Sequence, residues 1–256
     1  MLIDTHAHLT DNVFEKDLEG VLDKAYKAGV LKIITVGTNL LDSEKALKLA
    51  EKYEGVFAAV GVYPDENIEN NPHLRDRLDL LAKNSKVIAI GECGLDYLKS
   101  SKTSKDEQNQ KFRMQVGKAV ELNLPLIIHN RNADEDILKA LSYYESTKRL
   151  RGVMHCFTGS VAFAEKVVAL GLYISFTGIL TYQSGKNLED VVKSIPRDRV
   201  LVETDSPYLA PEKLKGTRNE PANVVMVANK LSHIWGVPPK EAAGITTKNA
   251  QILFEI

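Results

Sequence analysis

Short apolar runs alternate with longer amphipathic stretches along the chain, and the alternation repeats eight times. The apolar runs fall at residues 2–5, 32–36, 56–62, 87–90, 126–128, 152–154, 172–176 and 200–202. They are rich in Val and Ile and bounded by Gly, Asn, Pro or Asp, the pattern of buried parallel strands. Between them the periodicity predicts helices. One spans 14–28 and stops at Gly29. One spans 43–52, started by an Asp42 or Ser43 cap. The longest spans 104–122, with Ser104 and Glu107 in a capping-box pattern. Others cover 133–144, 161–170, 188–194 and 221–234, and a closing stretch at 238–254 reads as an extra helix over the barrel. Eight such repeats predict an α/β fold, a (β/α)8 TIM barrel, rather than a doubly wound open sheet, which needs no eighth repeat. No linker, low-complexity tract or charge block divides the chain, so residues 1–256 are expected to form one domain. The least regular segments, 64–72, 94–103 and 210–220, follow strand ends, where loops over a barrel's active face belong.

Polar residues of metal-ligand type fall at those same strand ends. His6 and His8 leave the first strand two residues apart, a spacing that turns both side chains to one face. Glu92 follows the fourth strand, His129 the fifth, His155 the sixth and Asp205 the eighth. Four of the six histidines thus occupy equivalent exits, an alignment that scattered surface histidines rarely make. His73 and His233 lie outside it and read as structural or solvent-facing. The nitrogen and oxygen set, without thiolate, suits Zn2+, Mn2+, Fe2+ or Mg2+. Six protein ligands are too many for one open catalytic ion and fit two sharing a bridging carboxylate, for which Glu92 is central in strand order. Paired ions about 4 Å apart can hold the attacking and leaving oxygens of a displacement. Strand parity adds Asp4 and Glu203 as groups that could orient the ligands, and Arg131 as a guanidinium for phosphate or carboxylate. The bland reading of Arg131 is a salt bridge with Asp134 or Glu135. Tyr97, Phe157, Tyr182 and Tyr208 near the rim could stack on nucleobases, although rim packing is the commoner role.

Composition narrows the classes. Hydrophobic content of 44% and charged content of 26% are those of a globular protein, and a net charge of −1 gives no global pull toward nucleic acid or membrane. There is no transmembrane run, and Asp4, Thr5 and His6 come too early for a signal peptide. The two cysteines, Cys93 and Cys156, lack CxxC partners; they read as buried packing in a cytoplasmic protein. No feature calls for a protein partner or a membrane.

Five segments together resemble the TatD family of metal-dependent deoxyribonucleases among the amidohydrolase-like barrels: residues 3–9, 91–97, 129–131, 155–159 and 203–211. Residues 218–221 and 249–254 also fit, so the likeness runs from residue 3 to 254. It implies two divalent metal ions, Mg2+, Mn2+ or Zn2+. His6, His8, Glu92 and Asp205 would hold one; Glu92, His129 and His155 would hold the other. It further implies 3′-5′ exonucleolytic hydrolysis of single-stranded DNA, and possible action on RNA. Asp205 would take the proton of the attacking water, with Glu92 and Arg131 also catalytic, and Arg131, Tyr63 and Tyr97 contacting substrate. One departure stands out. The family carries Gly-x-His-Pro-His after the third strand; here Gly61-Val62-Tyr63-Pro64-Asp65 replaces an imidazole by a phenol and the second His by a carboxylate that would repel phosphate. The rival function is an amidohydrolase-type enzyme cleaving an ester or amide of a small molecule or aminoacyl group. A barrel that only binds metal is a third. The absence of a lysine at the fourth strand exit, where many related barrels carry a carbamylated bridge, favours the nuclease group.

Overall fold

The structure, a computed structural model, describes residues 1–67, 73–144, 147 and 149–256. Its eight strands are β1 (Leu2–Ala7), β2 (Val30–Val36), β3 (Val56–Val60), β4 (Val87–Asp96), β5 (Leu126–Arg131), β6 (Gly152–Met154), β7 (Tyr173–Phe176) and β8 (Val200–Val202). They form one sheet in chain order, each neighbouring pair parallel. Around it run α1 (Leu18–Lys27), α2 (Leu40–Lys52), α3 (Leu74–Ala82), α4 (Lys105–Leu122), α5 (Asp134–Ser142), α6 (Val161–Ala169), α7 (Asn187–Ser194), α8 (Val224–Trp235) and α9 (Pro239–Phe254). This is the expected (β/α)8 barrel. Among the described residues no helix is long and apolar enough to cross a membrane.

Local chemistry sets the element ends. The capping box at α4 is present as read: the Ser104 side chain accepts from the Glu107 N–H and Glu107 accepts from the Ser104 N–H. The cap of α2 is Asn39, not Asp42 or Ser43, because Ser43 turns its hydroxyl inward to Gly61. The sequence reading omitted α3 altogether. Its charged residues Arg75, Asp76, Arg77 and Asp79 mask the apolar stripe of Leu74, Leu78 and Ala82, which is buried. Of the irregular segment 64–72, residues 68–72 lie outside the described residues. The fourth strand runs six residues past its expected end, to Asp96. Gly91 and Gly94 read as breakers, but Gly94 (φ +142°) keeps β4 paired to β5 at its closest approach. A Cβ there would fall 1.9 Å from the His129 carbonyl oxygen.

Ile127, Val153 and Leu201 share strand parity with His129, His155 and Glu203, so they fill the barrel interior directly beneath the polar layer. Leu253 and Phe254 of α9 join this cluster and seal the opposite mouth. Full burial of each such side chain stabilises by roughly 1.5–3 kcal/mol. The larger outer core lies between the strands and the surrounding helices.

The barrel closes through a narrow seam. Backbone bonds run from Asp205 N–H to His6 O (2.9 Å) and from His8 N–H to Ser206 O (2.7 Å). Beneath them the fully buried Asp4 carboxylate accepts the Thr204 N–H (2.9 Å) and hydroxyl (2.6 Å), and more weakly the His6 N–H (3.4 Å). Parity suggests Asp4 as a group that orients an imidazole; its carboxylate instead ties β1 to the β8 loop, because the nearest donors are backbone and hydroxyl groups. Asp4→Ala leaves the Thr204 amide buried without an acceptor, so a loss of about 1–3 kcal/mol of unfolding free energy is expected in urea titrations. An unchanged midpoint would contradict the seam.

Candidate metal centre

The strand exits bring six side chains together above the apolar interior. His6 Nε2 and His8 Nε2 lie 3.2 Å apart, and Asp205 Oδ1 stands 3.6 and 3.3 Å from them. His129 Nδ1 and His155 Nε2 lie 3.3 Å apart. Between the two pairs sits Glu92, 3% exposed. Its Oε1 is 2.9 Å from both His129 Nδ1 and His155 Nε2; its Oε2 is 3.7 and 3.8 Å from His6 and His8. The rings of His6 and His155 stack at 4.1 Å, closing the gap from below.

The far nitrogens decide which face of each ring is available. His8 Nδ1 meets the Val36 carbonyl at 3.1 Å. His129 Nε2 lies 3.3 Å from Asp96 Oδ2, and His155 Nδ1 lies 3.3 Å from Glu203 Oε1. A ring N–H pointed at an oxygen leaves the opposite nitrogen as a lone pair aimed into the centre. His6 Nδ1 is buried without a partner, and His155 Nδ1 meets Glu203 as a close charge contact, not as an aligned hydrogen bond. Glu203 keeps the role that parity suggested. It also accepts the Cys156 N–H (2.7 Å) and the Ser175 hydroxyl (2.5 Å), which fixes it beneath His155.

Electrostatics follow the same geometry. Burial opposes charge on Glu92, but the fields and hydrogen bonds of His155, His129 and His6 hold its carboxyl well below the usual range. Burial also opposes charge on His8 and His155. The Asp205 bond carries His8 up to about 9, and the fields of Glu92 and Glu203 carry His155 well above its ordinary value. His6, fully buried and flanked by His155, is pushed well down. Imidazole lone pairs apposed at 3.2–3.3 Å repel unless a proton or a cation lies between them, and two carboxylates supply the compensating charge. The donor chemistry therefore fits divalent metal ions.

Asp96 is the residue that sequence reading missed. It lies four positions after Glu92 on the extended β4, and so on the same face. Its Oδ2 accepts the Tyr63 hydroxyl (2.8 Å) as well as facing His129. Burial works against its charge, yet these two bonds hold Asp96 down at about 2. The Tyr63 proton is thus committed to Asp96 rather than turned to a phosphate. Asp65 is likewise spoken for, since it accepts the N–H groups of Lys102 (2.5 Å) and Thr103 (3.0 Å) and clamps two loops together.

A cavity of about 1010 Å3 opens over the centre, lined on one side by His8, Asp205 and Tyr208 and on another by Tyr63, His129 and Arg131. Arg131 extends β5 as parity required, and its guanidinium makes no ion pair among the described residues, with Asp134 or Glu135 included. Tyr97 lies instead in a neighbouring cleft of about 600 Å3, which Arg131 and His155 also line. Its hydroxyl donates to Asp136 and accepts from Asn109, each at 2.7 Å, and Lys105 covers its ring at 4.2 Å. Cys93 is buried as expected, whereas Cys156 borders the cavity. His73 and His233 are exposed and far from the centre in the fold.

Because protons already compete for His8 and His155 near neutrality, metal binding should release protons and tighten as pH rises from 6 to 8. Calorimetric titration with Mn2+ in two buffers of different ionisation enthalpy measures this. Binding with no proton release at pH 7 would contradict ligation by these imidazoles.

Comparison with known proteins supplies the family. Residues 3–255 match the TatD-related DNase family. The metal-dependent hydrolase YabD of Bacillus subtilis is 41% identical over 100% of both chains. The protein named 3′-5′ ssDNA/RNA exonuclease TatD in Salmonella typhimurium is 36% identical over 100% of this chain and 99% of that one. The solved structure of YJJV, a TatD homologue from Escherichia coli, superposes with a TM-score of 0.91 at 31% identity, covering 100% of this chain and 98% of the other. The chain belongs to the TatD-related DNase family and is a metal-dependent hydrolase.

Proposed function

We propose that the chain acts as one catalytic domain, a two-metal phosphodiesterase that removes nucleotides from the 3′ end of single-stranded DNA. One observation carries the reading: the two oxygens of Glu92 face two different histidine pairs. In this reading His6, His8, Asp205 and Glu92 would hold one ion, and Glu92, His129 and His155 the other. Bound there, the ions supply Lewis-acid polarisation of the phosphoryl group and acidify the attacking water. The printed name of the Salmonella relative supports the substrate and direction. Two free cysteines suit work in a reducing cytoplasm.

The chain's own residues do the rest. Asp205 lines the cavity with 14% of its side chain exposed, and receives the proton of the attacking water as the new P–O bond forms; the ester P–O bond breaks to release the 3′ oxygen of the shortened strand, which takes a proton from solvent. Arg131 donates to the phosphoryl oxygens, where a planar fork matches two of them. Lys45 and Lys102 line the same cavity and, like Arg131, make no ion pair among the described residues. Acids stand beside them: Asp11 accepts from Tyr208, Asp42 from the Thr38 N–H and Asp65 from the N–H groups of Lys102 and Thr103, while Glu66 lines the cavity as well. With Glu92 and Asp205 also in the lining, the cavity attracts a polyanion only once divalent ions add their charge to that of Arg131, Lys45 and Lys102. Asp96, anchored by Tyr63, holds the His129 ring. Tyr97, in the adjoining cleft, lies where a longer strand would continue past Arg131.

Purified protein is to be incubated with single-stranded DNA labelled at either end, with RNA, and with a panel of carboxylic esters, under Mg2+, Mn2+ and Zn2+. Stepwise loss of the 3′ label is expected, falling at least about 100-fold in Glu92→Ala and His129→Ala, because each removes several kcal/mol of transition-state stabilisation. Activity that persists in both variants would mark a contaminant, and ester cleavage with DNA untouched would favour the amidohydrolase-type reaction. Arg131→Ala should lower kcat/KM on DNA by about 10- to 100-fold, the worth of a charged hydrogen bond. An unchanged value would assign Arg131 no phosphate contact.

A further inference from the structure

We propose that Tyr208 is the seat on which the base at the cleaved end of the strand stacks, so that the enzyme recognises nucleotides by their bases as well as their phosphates. This rests on the phosphodiesterase reading above and gives its substrate a second point of attachment.

Tyr208 lines the central cavity, and 54% of it is exposed there. It is also held still. Its hydroxyl donates to Asp11 Oδ2 at 2.9 Å, and its N–H donates to the Asp205 carbonyl at 2.9 Å. Its own carbonyl accepts from the Asn219 side chain at 2.7 Å, and Asn219 is fully buried and bonded to the Thr204 carbonyl as well. A ring already fixed loses little entropy when a base stacks on it. Its one ring contact among the described residues is with His8, 6.0 Å away and inclined at 64°, which is a tilted contact and not a stack.

The other rim aromatics offer no such surface. Lys105 covers Tyr97, and Lys215 lies 5.4 Å over Tyr182, whose hydroxyl is bonded to the Ala210 carbonyl. Phe157 is buried and stacked on Phe163. Leu41, 67% exposed, lines the same cavity as Tyr208 and adds apolar surface to it. Barrel order separates this apolar side from the phosphate side. Tyr208 follows β8 and touches His8 beyond β1, while Arg131 ends β5, across the barrel from β1. A nucleotide whose phosphate reaches Arg131 and the centre can therefore turn its base toward Tyr208. Base–aromatic stacking is tolerant of sequence, as an exonuclease requires.

The test compares two oligonucleotides of identical backbone, one ending in ordinary 3′ nucleotides and one in abasic tetrahydrofuran units. The wild-type protein should prefer the base-bearing end by about 5- to 100-fold in kcat/KM, the worth of one stacked base. Tyr208→Ala should lose that preference by slowing only the base-bearing substrate, whereas Tyr208→Phe should keep it. Fluorescence anisotropy of the same labelled oligonucleotides without divalent metal gives a reading that needs no turnover and should show the same pattern. Equal affinity of the wild type for both ends, or an equal loss on both in Tyr208→Ala, would overturn the stacking role. Preferential binding of the base-bearing end without cleavage would leave the stacking role standing and overturn the phosphodiesterase reading instead.

Discussion

A carboxylate taken out of water must be compensated on every side from which it lost solvent, and Glu92 meets this with four imidazole rings. Oε1 faces His129 and His155; Oε2 faces His6 and His8. Much of the barrel's polar end answers to that requirement. The rings must come from β1, β5 and β6, so these strands have to present one face at one height around the middle of β4, where Glu92 lies. The Gly94 approach holds β4 against β5 at the level of His129. The seam that closes the barrel runs through the backbones of His6, His8 and Asp205, so fold closure and the assembly of the centre are one event.

A second ring of acceptors makes the first ring usable. Val36 O, Asp96 and Glu203 each face the outer nitrogen of one histidine and turn its inner nitrogen toward Glu92 or Asp205. Tyr63 and Ser175 in turn donate to Asp96 and Glu203. These bonds sit in a low-dielectric layer over Ile127, Val153 and Leu201, where each is worth more than it would be in water. The cavity above carries Arg131 at the end of β5 and, across the barrel from it, the exposed surface of Tyr208.

Much of this was legible in the chain because period and parity are properties of sequence. The eight apolar runs carried the strand count. Parity carried the convergence of His6, His8, His129 and His155, and the inward turn of Glu203 and Arg131. What escaped depends on contacts that parity cannot name. Asp4 shares the inward face but finds Thr204, not an imidazole, because the seam donors are nearer. Asp65 reads as a repulsive charge until Lys102 and Thr103 are seen to donate to it. Asp96 was hidden because the glycines at 91 and 94 end a strand in sequence terms, while in space they let it continue. The stripe of α3 is three residues wide and diluted by charge, below what periodicity resolves.

The central claim is that Glu92 stands between two ions. Anomalous diffraction from crystals grown with Mn2+ tests it most directly. Two peaks are expected, one beside Glu92 Oε1 with His129 and His155, the other beside Oε2 with His6, His8 and Asp205. A single peak, or density that leaves Glu92 unligated, would contradict the account.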